Sequence, residues 1–226
     1  MAELIVALDL ESTTLALRLV DDLPGLEWAK IGPMLFVEDG PGLVSELKAR
    51  GINVFLDLKW HDIPNSVAGA VRSAADLGVD LVTVHALGGP AMVAAARAAS
   101  GGLKIAAVTV LTAHSAAAYW NIVGREETQE LGREVTRLAI MAVAAGADAV
   151  VSSPWEVAVL REALGPEPWI VVPGIRPVGA APDDQQRTAD PATVVRAGAT
   201  HLVVGRPITR AKCPAEVYQG IRREMR

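Results

Sequence analysis

The feature that most constrains this chain is a pattern that recurs eight times: a short apolar run, polar punctuation, then a segment of helical spacing. The runs are Leu4–Asp9, Trp28–Gly32, Asn53–Lys59, Leu81–Ala86, Lys104–Leu111, Ala149–Ser153, Trp169–Ile175 and His201–Ile208. Most are near-continuous Val, Ile, Leu and Ala, as expected of parallel strands covered by helices on one side and filled on the other. The segments between them read as helices. Ser12 caps one running to about Asp22, and Glu38–Arg50 carries Leu43, Val44 and Leu47 at helical spacing before Gly51. Pro64–Leu77, Pro90–Ser100, Pro154–Leu164, Pro191–Ala197 and Pro214–Met225 each open on Pro, which suits a first helical turn. Glu126–Ala145 is the longest, stopped by Gly146. Eight strand–helix units predict an α/β fold, a single (β/α)₈ barrel. The competitor is a doubly wound open sheet. Its dinucleotide version needs G-x-G-x-x-G after the first strand, and this chain has Asp9-Leu10-Glu11-Ser12 there.

No linker, low-complexity tract or charge block divides residues 1–226, so one domain is expected. The chain carries 21 basic and 26 acidic side chains, a net charge of −5. That balance argues against a nucleic-acid polymer as partner, which calls for a basic stripe. Aromatics at 4% leave little for base stacking. One cysteine, Cys213, forms neither an internal disulfide nor a zinc cluster. The N-terminus lacks a basic region before its apolar run, and no run reaches the 18 or so residues of a membrane span. A soluble cytoplasmic protein is expected.

In a barrel the chemistry sits where strands end and the following loops begin. Those positions hold Asp9 after strand 1, Lys30 in strand 2, and Asp57 and Lys59 in strand 3. His85 ends strand 4, and Thr109 and Thr112 follow strand 5. Asp57 and Lys59 are two apart and share a strand face, and Asp62 follows in the loop. Charges of alternating sign support one another, about 4 kcal/mol per pair at ~4 Å and an effective dielectric near 20, before desolvation. A structural salt-bridge network is the plain alternative. The company of Asp9 and Lys30 favours function, because buried ions are costly to keep for stability alone. Lysine is scarce, at five residues: Lys30, Lys48, Lys59, Lys104 and Lys212. For the last two and Lys48 that suggests little more than a surface preference for Arg.

A second group lies at strands 7 and 8. The polar loop from Pro173 to about Ala189 has the length of a lid or binding loop. Barrels often bind phosphate after strands 7 and 8. Gly205 admits an oxyanion to backbone N–H groups, and Arg176 or Arg206 offers a bidentate clamp. His61, His85 and His114 lack metal-ligand spacing, and the tryptophans read as packing.

These motifs together resemble the orotidine 5′-monophosphate decarboxylases of the bacterial type. The matching residues are Ala7-Leu8-Asp9, Lys30-Ile31-Gly32, Asp57-Leu58-Lys59-x-His61-Asp62-Ile63-Pro64-Asn65, Leu111-Thr112, Pro173-Gly174-Ile175-Arg176, Asp183-Asp184-Gln185 and Val204-Gly205-Arg206-Pro207. They span nearly the whole chain. The resemblance implies conversion of orotidine 5′-monophosphate to UMP and CO₂ without metal or cofactor. Lys59 would protonate C6, Asp57 would sit beside the substrate carboxylate, Lys30 would contact ribose and orient the aspartates, and Asp9 would bind ribose. It also implies a homodimer in which Asp62, Ile63 and Ser66 reach the partner's ligand. Thr112 would lie by the pyrimidine, and Arg176, Gln185, Gly205 and Arg206 by the phosphate. Three positions depart from the family pattern. Ala113 stands where Ser is frequent, Ser66 where Thr is common, and Trp60 is bulkier than usual but should face the outer helices. A metal-dependent keto-sugar-phosphate decarboxylase or hexulose-phosphate aldolase shares Asp-x-Lys-x-x-Asp, but the following Ile63-Pro64-Asn65 favours the nucleotide enzyme. A silent scaffold barrel would not need to keep the Lys30–Asp57 and Lys59–Asp62 pairs.

Overall fold

The computed structural model describes residues 2–125, 130–177 and 188–226. Its strands are β1 (Glu3–Ala7), β2 (Trp28–Ile31), β3 (Asn53–Trp60), β4 (Leu81–His85), β5 (Lys104–Val108), β6 (Ala149–Val151), β7 (Trp169–Val172) and β8 (His201–Val204). They pair in parallel in chain order, and β8 returns to β1 with Glu3 beside His201 and Val6 beside Val204. The sheet is a closed (β/α)₈ barrel, as the eightfold pattern predicts.

The helices are α1 (Thr13–Asp21), α2 (Pro33–Ala49), α3 (Pro64–Asp76), α4 (Gly89–Ala98), α5 (Ala116–Ile122), α6 (Leu131–Ala144), α7 (Val157–Leu164), α8 (Pro191–Arg196), α9 (Arg206–Thr209) and α10 (Pro214–Glu224). Ser12 caps α1 by accepting the Leu15 N–H. Four segments differ from the sequence reading. Helix α2 starts five residues earlier, at Pro33, and bends where Asp39 leaves helical geometry (φ −157°, ψ 55°). The cause is Pro41, which lacks an N–H and crowds the preceding turn. Helix α5 was not expected; it begins where the Ser115 hydroxyl accepts the Ala118 N–H. The helix expected over Glu126–Ala145 is described from Leu131, with residues 126–129 outside the described residues. Strand β8 also stops at Val204 rather than Ile208: Gly205 turns the chain and its carbonyl accepts the N–H of Ile208 and Thr209.

Strand alternation sorts the core into two layers. Ile5, Ala7, Trp28, Phe55, Leu81, Ala106, Ala149, Val171 and Val203 fill the barrel. Their neighbours, such as Val6, Leu56, Val82 and Ile170, pack outward under the helices. Trp60 joins that outer layer, as its alternation from Lys59 suggests. The floor at the strands' amino ends is aromatic. Trp28 and Trp169 meet edge to face at 6.4 Å, and the His201 ring lies 4.3 Å from Trp169. The cavity that faces the charged strand ends lies at the opposite, carboxyl side of the barrel.

His201 is 4% exposed, and burial drops its pKa from 6.5 to about 4. The folded state therefore keeps it neutral while the unfolded chain protonates near 6.5. Its contribution is present above that pH and is lost as pH falls toward 4, up to about 3 kcal/mol. The difference in urea midpoint between wild type and His201→Phe should widen, in favour of the variant, as pH drops from 7 to 4.5. A parallel fall of the two midpoints would remove His201 as the cause.

Candidate active site

A cavity of about 550 Å³ opens at the carboxyl ends of the strands. Its charged wall comes from β1, β2 and β3, which are neighbours in the barrel, so their terminal side chains converge. Lys30 is 7% exposed and Asp57 8%. The Lys30 Nζ donates to both Asp9 oxygens, at 3.0 and 3.2 Å, and stands 3.4 Å from Asp57 Oδ2. The Lys59 Nζ donates to both Asp57 oxygens at 2.9 Å. The order is Asp9–Lys30–Asp57–Lys59, alternating in sign, and all four line the cavity.

Burial alone would raise the Asp57 pKa. The charges of Lys30 and Lys59, with hydrogen bonds from Lys59 and Thr83, outweigh it and hold the carboxyl below the usual aspartate range. Gly32 is part of this geometry: a Cβ there would lie 2.8 Å from Asp9 Oδ1 and 3.4 Å from Lys30 Nζ. Only a residue without a side chain lets that pair close undisturbed.

Lys59 has the one positive φ among described non-glycine residues, +51°. A long side chain held there costs about 1–3 kcal/mol, and such strain concentrates at functional sites. It arises at a break in the β3–β4 ladder: Leu56 pairs with Val82 and Trp60 with Val84. Asp57, Leu58 and Lys59 thus stand opposite the single residue Thr83, a bulge in β3. Thr83 is fully buried. Its hydroxyl accepts the Lys59 N–H at 2.8 Å and donates to Asp57 Oδ1 at 3.0 Å.

The opposite wall holds Val108, Val110, Thr112, Val151 and Ser152 from the ends of β5 and β6. Thr109 does not face the cavity; its hydroxyl donates to the Val151 carbonyl at 2.8 Å. Near β7 and β8 the lining includes Gly174, Arg176, Gly205, Arg206 and Arg210. A bridge between Ile175 and Ala189 brings the two ends of the seventh loop together, and Arg176 N–H donates to the Ala189 carbonyl at 3.0 Å. Three histidines gather beside the charged wall. The His61 and His85 rings stack at 5.5 Å. Burial, reinforced by the charges of His61, Lys59 and His114, lowers His85 to a pKa of about 4. Its Nδ1 accepts the Leu87 N–H. Among the described residues no three His, Cys, Asp or Glu are placed to hold a metal ion.

Residues 2–221 match the model of the orotidine 5′-phosphate decarboxylase / HUMPS family. The chain belongs to this family. It is 52% identical over 227 residues to the orotidine 5′-phosphate decarboxylase of Halorhodospira halophila, covering 98% of this chain and 95% of the relative. It is 50% identical over 229 residues to that of Alkalilimnicola ehrlichii, covering 99% and 96%. The crystal structure of orotidine 5′-phosphate decarboxylase from Lactobacillus acidophilus superposes with a TM-score of 0.88 at 35% identity, covering 100% of this chain and 99% of that one.

For this member of the orotidine 5′-phosphate decarboxylase / HUMPS family, the sequence-predicted residues fall into three groups. Asp9, Lys30, Asp57, Lys59, Thr112, Arg176, Gly205 and Arg206 line one cavity. Asp62, Ile63 and Ser66 do not; they are exposed at the start of α3, with Asp62 Oδ1 accepting the Ile63 N–H at 2.6 Å. Gln185, with Asp183 and Asp184, lies outside the described residues. Sequence reasoning missed Thr83, Ser152, Thr209 and Arg210. Ser152 could have been noticed as a hydroxyl ending a strand run. Thr83 sits inside an apolar run and gives no such signal.

The buried pair is testable through stability. Lys30→Met removes the charge and keeps most of the stem, leaving Asp57 short of one of its two ion partners. The loss should be about 3–5 kcal/mol in urea unfolding, and the double variant Lys30→Met/Asp57→Leu should recover much of it. A single variant as stable as wild type would show that the pair carries no net weight in the folded state.

Proposed function

We propose that this chain is an orotidine 5′-monophosphate decarboxylase that forms UMP and CO₂ without metal or cofactor, as a step of pyrimidine nucleotide synthesis in the cytoplasm. Its kinship with decarboxylases at 50–52% identity over nearly the full chain makes it a carboxy-lyase. No helix among the described residues is long and apolar enough to cross a membrane. The observation that carries the chemistry is the Lys59 ammonium, held in the cavity by both oxygens of a buried aspartate.

Charge suggests where the phosphate binds, and the other substrate parts are assigned by resemblance to the family. The phosphate goes to Arg176, Arg206 and the backbone at Gly205, with Gln185 assigned by resemblance. The ribose hydroxyls go to Asp9 and Lys30, and the pyrimidine edge to Thr112. C6 and its carboxylate then meet Asp57 and Lys59. When the bond from C6 to the carboxylate carbon breaks, CO₂ leaves and the electron pair stays on C6. No iminium forms to delocalise it, so a fixed ammonium must stabilise the developing charge. Lys59 then gives a proton to C6 and regains one from solvent. Lysine suits this and arginine does not, because guanidinium is too basic to release a proton. Repulsion between Asp57 and the substrate carboxylate would draw on binding energy at the distant phosphate. The lid expected of the loop after β7 falls largely on residues 178–187, outside the described residues.

The three exposed residues Asp62, Ile63 and Ser66 fit a homodimer in which each subunit completes its partner's site. We take the whole chain as one barrel domain in that dimer.

Purified protein mixed with orotidine 5′-monophosphate in excess EDTA should turn over, followed by pyrimidine absorbance. Lys59→Ala should cut the rate at least ~10⁴-fold with the circular dichroism unchanged. No turnover by wild type would reject the reading, and EDTA-sensitive turnover of a keto-sugar phosphate would replace it with the aldolase-type alternative.

The shared site has its own test. Asp62→Ala and Lys59→Ala proteins, each inactive, should regain roughly a quarter of wild-type activity after subunit exchange, because half the dimers are mixed and each mixed dimer holds one intact site. Proven exchange with no recovery would mean that Asp62 serves its own subunit.

A further inference from the structure

We infer that Thr83 is a positioning residue, whose one hydroxyl fixes both the backbone of Lys59 and the carboxylate of Asp57. The kinetic part rests on the decarboxylase reading; the structural part does not.

The bulge in β3 sets Asp57, Leu58 and Lys59 opposite Thr83 alone, so the main chain there has lost regular ladder pairing. The Lys59 N–H finds its acceptor in the Thr83 side chain instead, at 2.8 Å. The same oxygen carries a single hydrogen, which it gives to Asp57 Oδ1 at 3.0 Å. A hydroxyl can serve both at once because donation uses its proton and acceptance uses a lone pair. An amide or carboxylate side chain would not match both roles through one atom. Thr83 is fully buried, so no water is at hand to replace it. The bond to the Lys59 N–H clasps the backbone at φ +51°, and that backbone sets where the Nζ emerges. The bond to Asp57 fixes the rotation of the carboxylate that receives that Nζ. Thr83 itself does not line the cavity, so it acts through Lys59 and Asp57.

Thr83→Val keeps the branched shape and loses the hydroxyl; Thr83→Ser keeps the hydroxyl. In orotidine 5′-monophosphate turnover, Thr83→Val should lower kcat roughly 10- to 100-fold, the scale of a lost hydrogen bond to a charged group, with KM and UMP affinity within about threefold. Thr83→Ser should restore kcat to within about threefold of wild type. A purely structural role would instead lower both variants in step with their thermal stability. Amide exchange needs no substrate: the Lys59 N–H should exchange at least ~10-fold faster in Thr83→Val, and not in Thr83→Ser, than in wild type. Wild-type kcat or unchanged Lys59 exchange in a folded Thr83→Val protein overturns the inference. A wild-type protein inert toward the nucleotide would defeat the decarboxylase reading and leave the exchange measurement to decide the role of Thr83.

Discussion

Everything at the mouth of this barrel depends on keeping two opposite charges, Lys30 and Asp57, almost fully out of water. Neither is tolerable alone, since an unpaired buried ion costs several kcal/mol. Their tolerance comes from alternation. Lys30 sits between two carboxylates and Asp57 between two ammonium groups, so each buried charge has an opposite neighbour on either side. Only consecutive parallel strands with their carboxyl ends level bring Asp9, Lys30 and Asp57 to one wall, and the barrel supplies that arrangement. The constraint also runs back into the backbone. A Cβ at Gly32 would crowd Asp9 Oδ1 at 2.8 Å, and Lys59 reaches Asp57 from a backbone at φ +51°.

Much of this was legible in the sequence because it follows from periodicity and charge. Near-continuous apolar runs marked all eight strands, and Pro at first-turn positions marked α3, α8 and α10. The misreadings have physical causes. The helix read from Glu38 begins instead at Pro33, and the chain bends at Asp39, just before Pro41. The apolar run read to Ile208 is strand only to Val204, and after Gly205 the chain forms the helical turn Arg206–Thr209. The rule that residues two apart share a face placed Lys59 beside Asp57, which is where it lies. The reason is different, since a bulge and a positive φ intervene, and neither has a composition signal. Thr83 was invisible for the same reason: its importance lies in what stands across from it.

Scarce lysines show how a count gains meaning from position. Lys48 and Lys104 are not idle surface residues. Lys48 donates to Asp80 at 2.6 and 2.8 Å, and Asp80 also accepts the Val54 N–H. Lys104 donates to Asp148, which accepts the Ile105 N–H and a bond from Arg97 as well. In both cases a carboxylate just before one strand ties down the neighbouring strand, and a lysine neutralises it. These half-exposed pairs are each worth little in free energy, about 0–1 kcal/mol. Their effect is on register at the amino ends, away from the cavity.

The same kind of group therefore does different work at the two ends of the barrel, and burial sets Lys30 apart from the other three. At the amino ends water screens the lysines, and they fasten strands. At the carboxyl ends Lys30 and Lys59 face a cavity with apolar Phe55, Val108, Val151 and Val203 in its walls. There a fixed charge acts through a weaker dielectric, and its field at a reacting atom is correspondingly larger. Folding has already met the cost of orienting those charges before any ligand arrives. A reaction that builds negative charge on one carbon, with no electron sink of its own, is the kind that gains most from charges placed in advance. The strain at Lys59 fits the same logic: a backbone held away from its preferred region by a buried hydroxyl is already in place when that charge develops.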